Sequence, residues 1–328
     1  MGAQIDRRRR KKGRIVPIVL ATVLVAFILA GGTVYLATHG RDVAPGSSAD
    51  VSVVPTQPKR TLPRSFIDRN TASKYVLLRN VTDGIDLYAK AADERCYPAS
   101  LTKLMTALVA AEHAEADAEV TIGREVYLID PESSRAYLSP GTRLTLEQLF
   151  QALLLPSGND AAYSVAAYAG RRIAGDATLS EEASIARFVA EMNAKAKELG
   201  CTGTHFINPD GIHDPQHYTT AADMMKIAER ALATDVIART VALPSVKTTF
   251  LSGQSVSWKN TNKLIRENSA YTYQGATGMK TGTTSEAGQC LVASAVRDGK
   301  TTIVVLMGAK EDSGRWEDAS GLLDISFM

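Results

Sequence analysis

The chain has 328 residues, of which 45% are hydrophobic and 22% charged. That composition excludes wholesale disorder and collagen-like repeats, and the length allows roughly two structural units with a sizeable buried core. The formal net charge of +2 conceals an asymmetry. Residues 1–14 hold seven Lys or Arg (Arg7 to Arg10, Lys11, Lys12 and Arg14) against Asp6, and the remainder carries a net charge of −4. A mildly acidic body offers no broad basic surface for nucleic acid. Cys96, Cys201 and Cys290 are too few and too scattered for a disulfide scaffold or a zinc site.

After the basic cytoplasmic segment 1–14, residues 15–37 form a run of 23 without a charge. As a helix this run measures about 34 Å, enough to cross a hydrocarbon core of about 30 Å. It has no polar face, which disfavours a buried core helix. A signal peptide would carry an apolar region of only about 7–15 residues followed by a small-residue cleavage site. Tyr35-Leu36-Ala37-Thr38-His39 offers no clean site. The run therefore reads as a single transmembrane signal-anchor in the cell membrane, with secretion after cleavage as the alternative. Positive charge stays on the cytoplasmic side, so the chain beyond residue 38 is expected outside. Residues 38–64, rich in Pro, Ser, Gly and Val without a period, read as a flexible linker to a folded domain at 65–328. An oxidising exterior permits one disulfide, and the sequence leaves the pairing open.

Within the folded part, Lys74 to Asn80 and Gly84 to Lys90 predict two strands flanking Val-Thr-Asp-Gly, where Asp83-Gly84 is a hairpin signal. Ala99 to Glu112 places Leu101, Leu104, Met105, Leu108 and Val109 at helical spacing, with Pro98 and Ser100 suited to a first turn. Leu144 to Leu155 and Asp160 to Arg172 predict two helices broken by Pro156-Ser157-Gly158-Asn159. Glu181 to Leu199 is an amphipathic helix with Gly200 just past its end. A polar loop runs from Thr202 to Tyr218, and Thr219 to Ala233 is helical again. Ser245 to Leu251 and Ser255 to Asn260 predict a hairpin. Gly278 to Thr283, Gln289 to Arg297 and Thr301 to Gly308 predict three more strands, the last two joined tightly by Asp298-Gly299. Trp316 to Phe327 predicts a final helix. Strands at both ends with helices between imply an α+β fold: one antiparallel sheet built from distant segments, carrying an inserted helical subdomain.

Three short patterns carry chemistry, and each is weak alone. Ser100-Leu101-Thr102-Lys103 is an S-x-x-K that a chain of this length shows about once by chance. Ser157-Gly158-Asn159 reads equally well as an interhelical turn, and Lys280-Thr281-Gly282-Thr283-Thr284 as a polar strand end. Their order and separation together are far more specific, matching the active-site layout of penicillin-binding proteins and class A β-lactamases. A helix sets Ser100 and Lys103 one turn apart on one face, where the amine can take the hydroxyl proton. That requires a lowered lysine pKa, which burial and a neighbouring ammonium both provide. Lys280 could supply that like charge or bind a substrate carboxylate.

From about Ser73 to Phe327 the chain resembles the low-molecular-mass penicillin-binding proteins, specifically the D-alanyl-D-alanine carboxypeptidases. The resemblance rests on Tyr97 to Lys103, Leu154 to Ala162, Thr204 to Gly211, His217 to Asp223 and Gly278 to Gly282. It implies the β-lactamase/DD-peptidase-like fold and hydrolysis of the terminal D-Ala-D-Ala bond of peptidoglycan stem peptides, with β-lactams as covalent inhibitors and no cofactor. It further implies that Ser100 is the acylated nucleophile, Lys103 its general base, and Ser157 a proton relay to the leaving D-alanine. Asn159 would hold a substrate amide or orient Lys103. Lys280 and Thr281 would grip the terminal carboxylate beside Gly282. The backbone N–H groups of Ser100 and Thr283 would form the oxyanion hole.

Endopeptidase action on cross-links needs the same residues. A β-lactamase is disfavoured, because the second triplet is Ser-Gly-Asn rather than Ser-Asp-Asn and no E-x-x-x-N segment follows it. A non-enzymatic peptidoglycan binder has no support, since every expected position is occupied. His205, His213 and His217, with Asp210 and Asp214, invite a metal reading, but the loop context favours structural roles and no metal site is expected. Asp223 is expected to accept from backbone donors near a helix end. Cys96, beside the nucleophile segment, has no explanation from sequence.

Overall fold

A computed structural model of the chain describes residues 71–328. The expected cytoplasmic segment, the signal-anchor at 15–37 and the linker at 38–64 lie outside the described residues. Among the described residues, no helix is long and apolar enough to cross a membrane.

Strands β1 (Tyr75–Asn80) and β2 (Ile85–Lys90) form the expected hairpin. Strands β7 (Ala276–Thr284), β8 (Gly288–Arg297) and β9 (Lys300–Ala309) form the expected C-terminal run. Asp298 and Gly299 join β8 to β9 at φ 51° and 73°, the primed turn whose twist matches that of paired strands. The five strands make one antiparallel sheet in the order β2-β1-β9-β8-β7, with β1 paired against β9. Both chain segments thus meet mid-sheet, and β7, which carries Lys280 to Thr283, is left as an edge.

Period-2 alternation sorts the strand residues onto two faces. Val76, Leu78, Val304 and Leu306 pack with Trp316, Ala319, Leu322 and Leu323 of a C-terminal helix, Asp312–Ser326. Leu77, Ile303, Val305 and Met307 face the larger core built by the intervening helices. The innermost of these is α1 (Thr102–His113), entered through a 3₁₀ turn at Ala99–Leu101. Lys103, Leu104, Met105, Ala107 and Leu108 are wholly buried on it, so this helix is enclosed by protein rather than one-sided.

Helix α2 (Leu146–Leu154) starts two residues later than the periodicity suggests. The reason is that β4 (Arg143–Thr145) pairs with β3 (Glu119–Thr121) before Thr145 and Gln148 close a capping box. Helix α3 (Asn159–Ala174) follows the Pro156-Ser157-Gly158 break, and α4 (Glu181–Glu198) lies against it. Helix α5 (Ala221–Leu232) is capped by Thr220, whose hydroxyl accepts from Asp223 N at 3.0 Å. The short α6 (Asp235–Val241) has no counterpart in the sequence reading. Strands β5 (Ser245–Thr249) and β6 (Ser255–Lys259) form the expected hairpin, as a separate ribbon outside the main sheet. The C-terminal helix is α7.

The start of the described region is tied to α7 by one buried carboxylate. Asp318 accepts from Ser73 N and Ser73 Oγ at 2.7 Å each and from Ala72 N at 3.0 Å. Truncating it strands three donors, two of them buried, and hydrogen bonds to charged groups are worth about 1.5–3 kcal/mol each. Asp318→Ala is expected to lower the free energy of urea unfolding by about 3 kcal/mol; an unchanged midpoint would contradict this anchoring.

Candidate active site

Sequence places Ser100 and Lys103 three apart; the fold gives them their surroundings. Ser100 sits in the 3₁₀ turn rather than capping α1, and Lys103 is the second residue of the helix proper. The Lys103 Nζ donates to Ser100 Oγ at 2.8 Å, to Asn159 Oδ1 at 2.7 Å and to the Asp210 carbonyl at 2.7 Å. Three acceptors match the three protons of an ammonium. With one proton gone, two N–H groups still satisfy Asn159 and Asp210, and the lone pair points at Ser100 Oγ. Burial pushes the Lys103 pKa down to about 8, against the upward pull of Asp210 and Asp160.

Each partner is fixed by a local constraint. Asn159 opens α3 with its N–H donating to Ser134 O at 2.8 Å. Its neighbour Asp160 clamps the rim loop by accepting from Ala136 N at 2.8 Å and Leu138 N at 2.9 Å. The Asp210 carbonyl is delivered by a turn that presses on Ala99. Gly211 stands at φ 90°, and a Cβ there would lie 1.9 Å from Ala99 O. Only glycine fits that close approach in that conformation.

The same loop is fastened by histidine. Ile207 N donates to His217 Nδ1 at 3.2 Å, which leaves the ring proton on Nε2, 2.8 Å from Thr102 Oγ1. Thr102 Oγ1 in turn donates to Ala99 O at 2.8 Å. Burial lowers the His217 pKa to about 3, so the ring stays neutral. His205 Nδ1 lies 2.7 Å from Gln216 O, and His213 stands edge-on to Tyr97 at 4.6 Å. These contacts are structural ones. Asp223 accepts from Gly203 N at 2.7 Å and Thr204 Oγ1 at 2.9 Å, the loop-binding role expected of it.

Opposite α1, β7 brings the third motif. Gly282 lies so near the nucleophile turn that a Cβ on it would sit 3.0 Å from both Ser100 N and Pro98 O. Lys280, for which the sequence allows a like charge beside Lys103 or a carboxylate grip, meets protein acceptors here. It is wholly buried, and its Nζ donates to Ser157 Oγ at 2.9 Å and Thr281 O at 2.8 Å. Burial first, then repulsion from Lys103 and Arg315, holds its pKa well below the usual lysine range. Of the motif residues, Ser100, Ser157, Asn159, Thr281, Gly282 and Thr283 line the 690 Å³ cleft and Lys280 does not. Ser157 holds φ 65° and Ala99 φ 48°, left-handed conformations that non-glycine residues adopt at a cost. Both strained turns sit at the cleft.

Three site residues were missed from sequence. Asp210 stands in the Thr204 to Gly211 segment and beside the histidines with no role assigned to it, yet its carbonyl holds Lys103. Thr261 accepts from Thr281 Oγ1 at 2.7 Å and lines the cleft. Arg315 of α7 reaches under β7 to donate to Gly282 O at 3.1 Å, Thr283 Oγ1 at 3.2 Å and Cys290 O at 3.1 Å. Thr261 and Arg315 belong to no short local pattern. The cysteines are all buried and unpaired; Cys96 bridges to Thr219 and packs its sulfur 3.6 Å from that of Met307.

Residues 62–311 match the D-alanyl-D-alanine carboxypeptidase family. A D-alanyl-D-alanine carboxypeptidase of Streptomyces sp. strain K15 is 36% identical over 74% of this chain and 83% of its own length. The crystal structure of the Streptomyces K15 DD-transpeptidase superposes with a TM-score of 0.71 at 34% identity, covering 78% of this chain and 97% of that one. The D-alanyl-D-alanine carboxypeptidase DacF of Bacillus subtilis is 33% identical over 78% of this chain, which spans 62% of that relative's length. Penicillin-binding protein D2 of Listeria monocytogenes, solved in its cefotaxime-bound form, gives a TM-score of 0.64 at 27% identity, covering 79% of this chain and 98% of that one. With the motif residues gathered on one α+β scaffold and three quarters of the sequence matched, the chain belongs to the D-alanyl-D-alanine carboxypeptidase family of serine peptidases.

Proposed function

We propose that this chain removes the terminal D-alanine from peptidoglycan stem peptides through an acyl-enzyme on Ser100, and that β-lactams trap the same serine. The observation that carries this reading is the buried Lys103 Nζ, 2.8 Å from Ser100 Oγ, with two further acceptors holding it in place. The cefotaxime-bound relative and the carboxypeptidase names of the others support it.

In this mechanism neutral Lys103 takes the Ser100 proton as Oγ attacks the carbonyl between the two D-alanines. The N–H groups of Ser100 and Thr283 receive the developing oxyanion, a kind of donor worth about 3–4 kcal/mol each. Ser157, whose Oγ accepts from Lys280 Nζ, relays to the leaving amine the proton that Lys103 took from Ser100, so Ser157 keeps a hydroxyl and Lys103 is neutral again. Thr281 and Thr283 offer hydroxyls to the substrate carboxylate, within the positive field of Lys280 and Arg315. Asn159 has its Oδ1 committed to Lys103, which leaves its amide nitrogen for a substrate carbonyl. Water then attacks the ester, with Lys103 again the base. The lactamase alternative lacks a deacylating carboxylate in the sequence pattern.

The uncharged run at 15–37 supports a membrane-anchored protein with this domain outside. Mass spectrometry of the mature chain should then find the N-terminal residues retained; a start near residues 38–45 would show cleavage instead.

Ser100→Ala is expected to abolish both D-alanine release from a pentapeptide and the stable adduct with labelled penicillin, while leaving the thermal midpoint near that of the parent. Adduct formation by the variant would move the nucleophile elsewhere, and rapid turnover of penicillin by the parent would favour a lactamase. Because the base must be unprotonated, the acylation rate should rise with pH and level off above about 8, the Lys103 value. Lys103→Arg, which keeps the charge but cannot lose a proton near neutrality, should cut acylation by about 10²–10⁴-fold. A flat profile between pH 6 and 9 would contradict the assignment.

A further inference from the structure

The cleft has two ends, and the chemistry distinguishes them. The Ser100 and Thr283 N–H groups set where the scissile carbonyl lies, and Ser157 marks the side on which the amine departs. On that side Thr261 joins two motif segments. Its N–H donates to Leu155 O at 3.0 Å, and its hydroxyl accepts from Thr281 Oγ1 at 2.7 Å. A lone D-alanine ends there at its carboxylate, yet the concave surface continues. A groove of about 630 Å³ adjoins the cleft, and Arg266 lines both. Ser245, Lys259, Lys263, Glu267 and Tyr271 are among its other walls.

The groove is cationic, and buried groups place its cations. Asn260 and Asn262 have no exposed surface. Asn260 Nδ2 donates to Val241 O at 3.1 Å and Leu243 O at 3.0 Å, and Asn262 Oδ1 accepts from Leu264 N at 3.0 Å. These bonds pin the stretch between Lys259 and Arg266. Lys263 is spent on Asp312, at 2.6 Å. The half-buried Arg266 guanidinium and the exposed Lys259 amine meet no acceptor among the described residues. Glu267 is the one acid among the lining residues, against three cations. The proposed carboxypeptidase cycle uses none of these side chains.

We propose that this groove holds the departing half of a peptide cross-link, so that the chain hydrolyses cross-linked stem-peptide dimers as well as free pentapeptide ends. In a cross-link the D-alanyl carbonyl of one stem is joined to a side-chain amine of another. That second stem carries free carboxylates, one of them at its own terminal D-alanine. Arg266 and Lys259 would meet these carboxylates, which a lone D-alanine does not bring. This activity rests on the Ser100 acyl-enzyme reading and changes only the leaving group. Ser100 Oγ bonds to the carbonyl carbon, the C–N bond of the cross-link breaks, and the departing side-chain amine takes the proton relayed by Ser157. Water then releases the first stem from Ser100.

Two substrates given to the full-length protein test this. One is a free pentapeptide, scored by D-alanine release. The other is a tetrapeptide–tetrapeptide dimer, which has no terminal D-Ala-D-Ala and is scored by chromatographic release of monomers. The parent is expected to turn over both, and Ser100→Ala neither. Arg266→Gln should lower the dimer-to-pentapeptide ratio of kcat/KM by at least about tenfold, and Lys259→Gln several-fold. Because it is a ratio, any loss of folded enzyme cancels. Amidating the terminal carboxylate of the departing stem should lower the parent's ratio several-fold. Pentapeptide cleavage without dimer cleavage would overturn the groove proposal and leave the Ser100 reading standing, whereas failure on both substrates would overturn both. A ratio that neither substitution moves, or an amidated dimer cleaved as well as the acid, would also overturn the proposal.

Discussion

One lysine nitrogen organises this molecule. Lys103 is a full-length cationic side chain with no exposed surface, and an unpaired charge in that position would be too costly to keep. The fold meets it with three acceptors, at 2.7 Å, 2.7 Å and 2.8 Å, drawn from three distant parts of the chain. Asn159 comes from the start of α3, Asp210 from the loop before α5, and Ser100 from the turn beneath the lysine. The arrangement is stable with three protons on the nitrogen and equally well satisfied with two. That indifference makes the lysine a usable base: proton loss breaks no bond except the one to the nucleophile.

The rest of the scaffold can be read as means to that end. The sheet leaves β7 as an edge, so that its stretch Lys280 to Thr283 runs beside the 3₁₀ turn carrying Ser100. Arg315 ties that edge to the final helix from behind. The loop at 202–218 is bonded to α1 through Thr102 and also through Thr106, whose hydroxyl donates to Pro209 O at 2.6 Å. Ala99 and Ser157, two of the five non-glycine residues with positive φ among the described residues, stand at the turns that present hydroxyls to the cleft. Backbone held in such conformations is bought by the surrounding packing, and here that packing is the closed core around α1.

Much of this was legible in the residues. Asp298-Gly299 marks a hairpin because few other dipeptides tolerate both positions of a primed turn, Asp83-Gly84 marks one through the left-handed Gly84 at φ 66°, and both hairpins are found. The Leu101-Leu104-Met105-Leu108 spacing located α1 to within about one turn. The serine and lysine motifs pointed to the cleft because their chemistry needs fixed local spacing. What sequence could not supply was contact between remote segments. Asp210 acts through a carbonyl, which any residue possesses, so no side-chain pattern announces it. Arg315 lies on a helix whose periodicity speaks only of the core. Strands of three residues, such as β3 and β4, are too short to show alternation. For Lys280 the residues allow either a like charge beside Lys103 or a carboxylate ligand, and its contact with Ser157, again between remote segments, is visible only in the fold.

The claim on which all of this depends is that Lys103 gives up its proton within reach of physiological pH. Nuclear magnetic resonance of the full-length protein labelled with ¹³C at the lysine Cε positions measures that proton directly, with Lys103→Arg supplying the assignment. The account predicts a Lys103 resonance titrating near pH 8. A Lys103 resonance that stays charged to pH 10, as an ordinary lysine does, would contradict it.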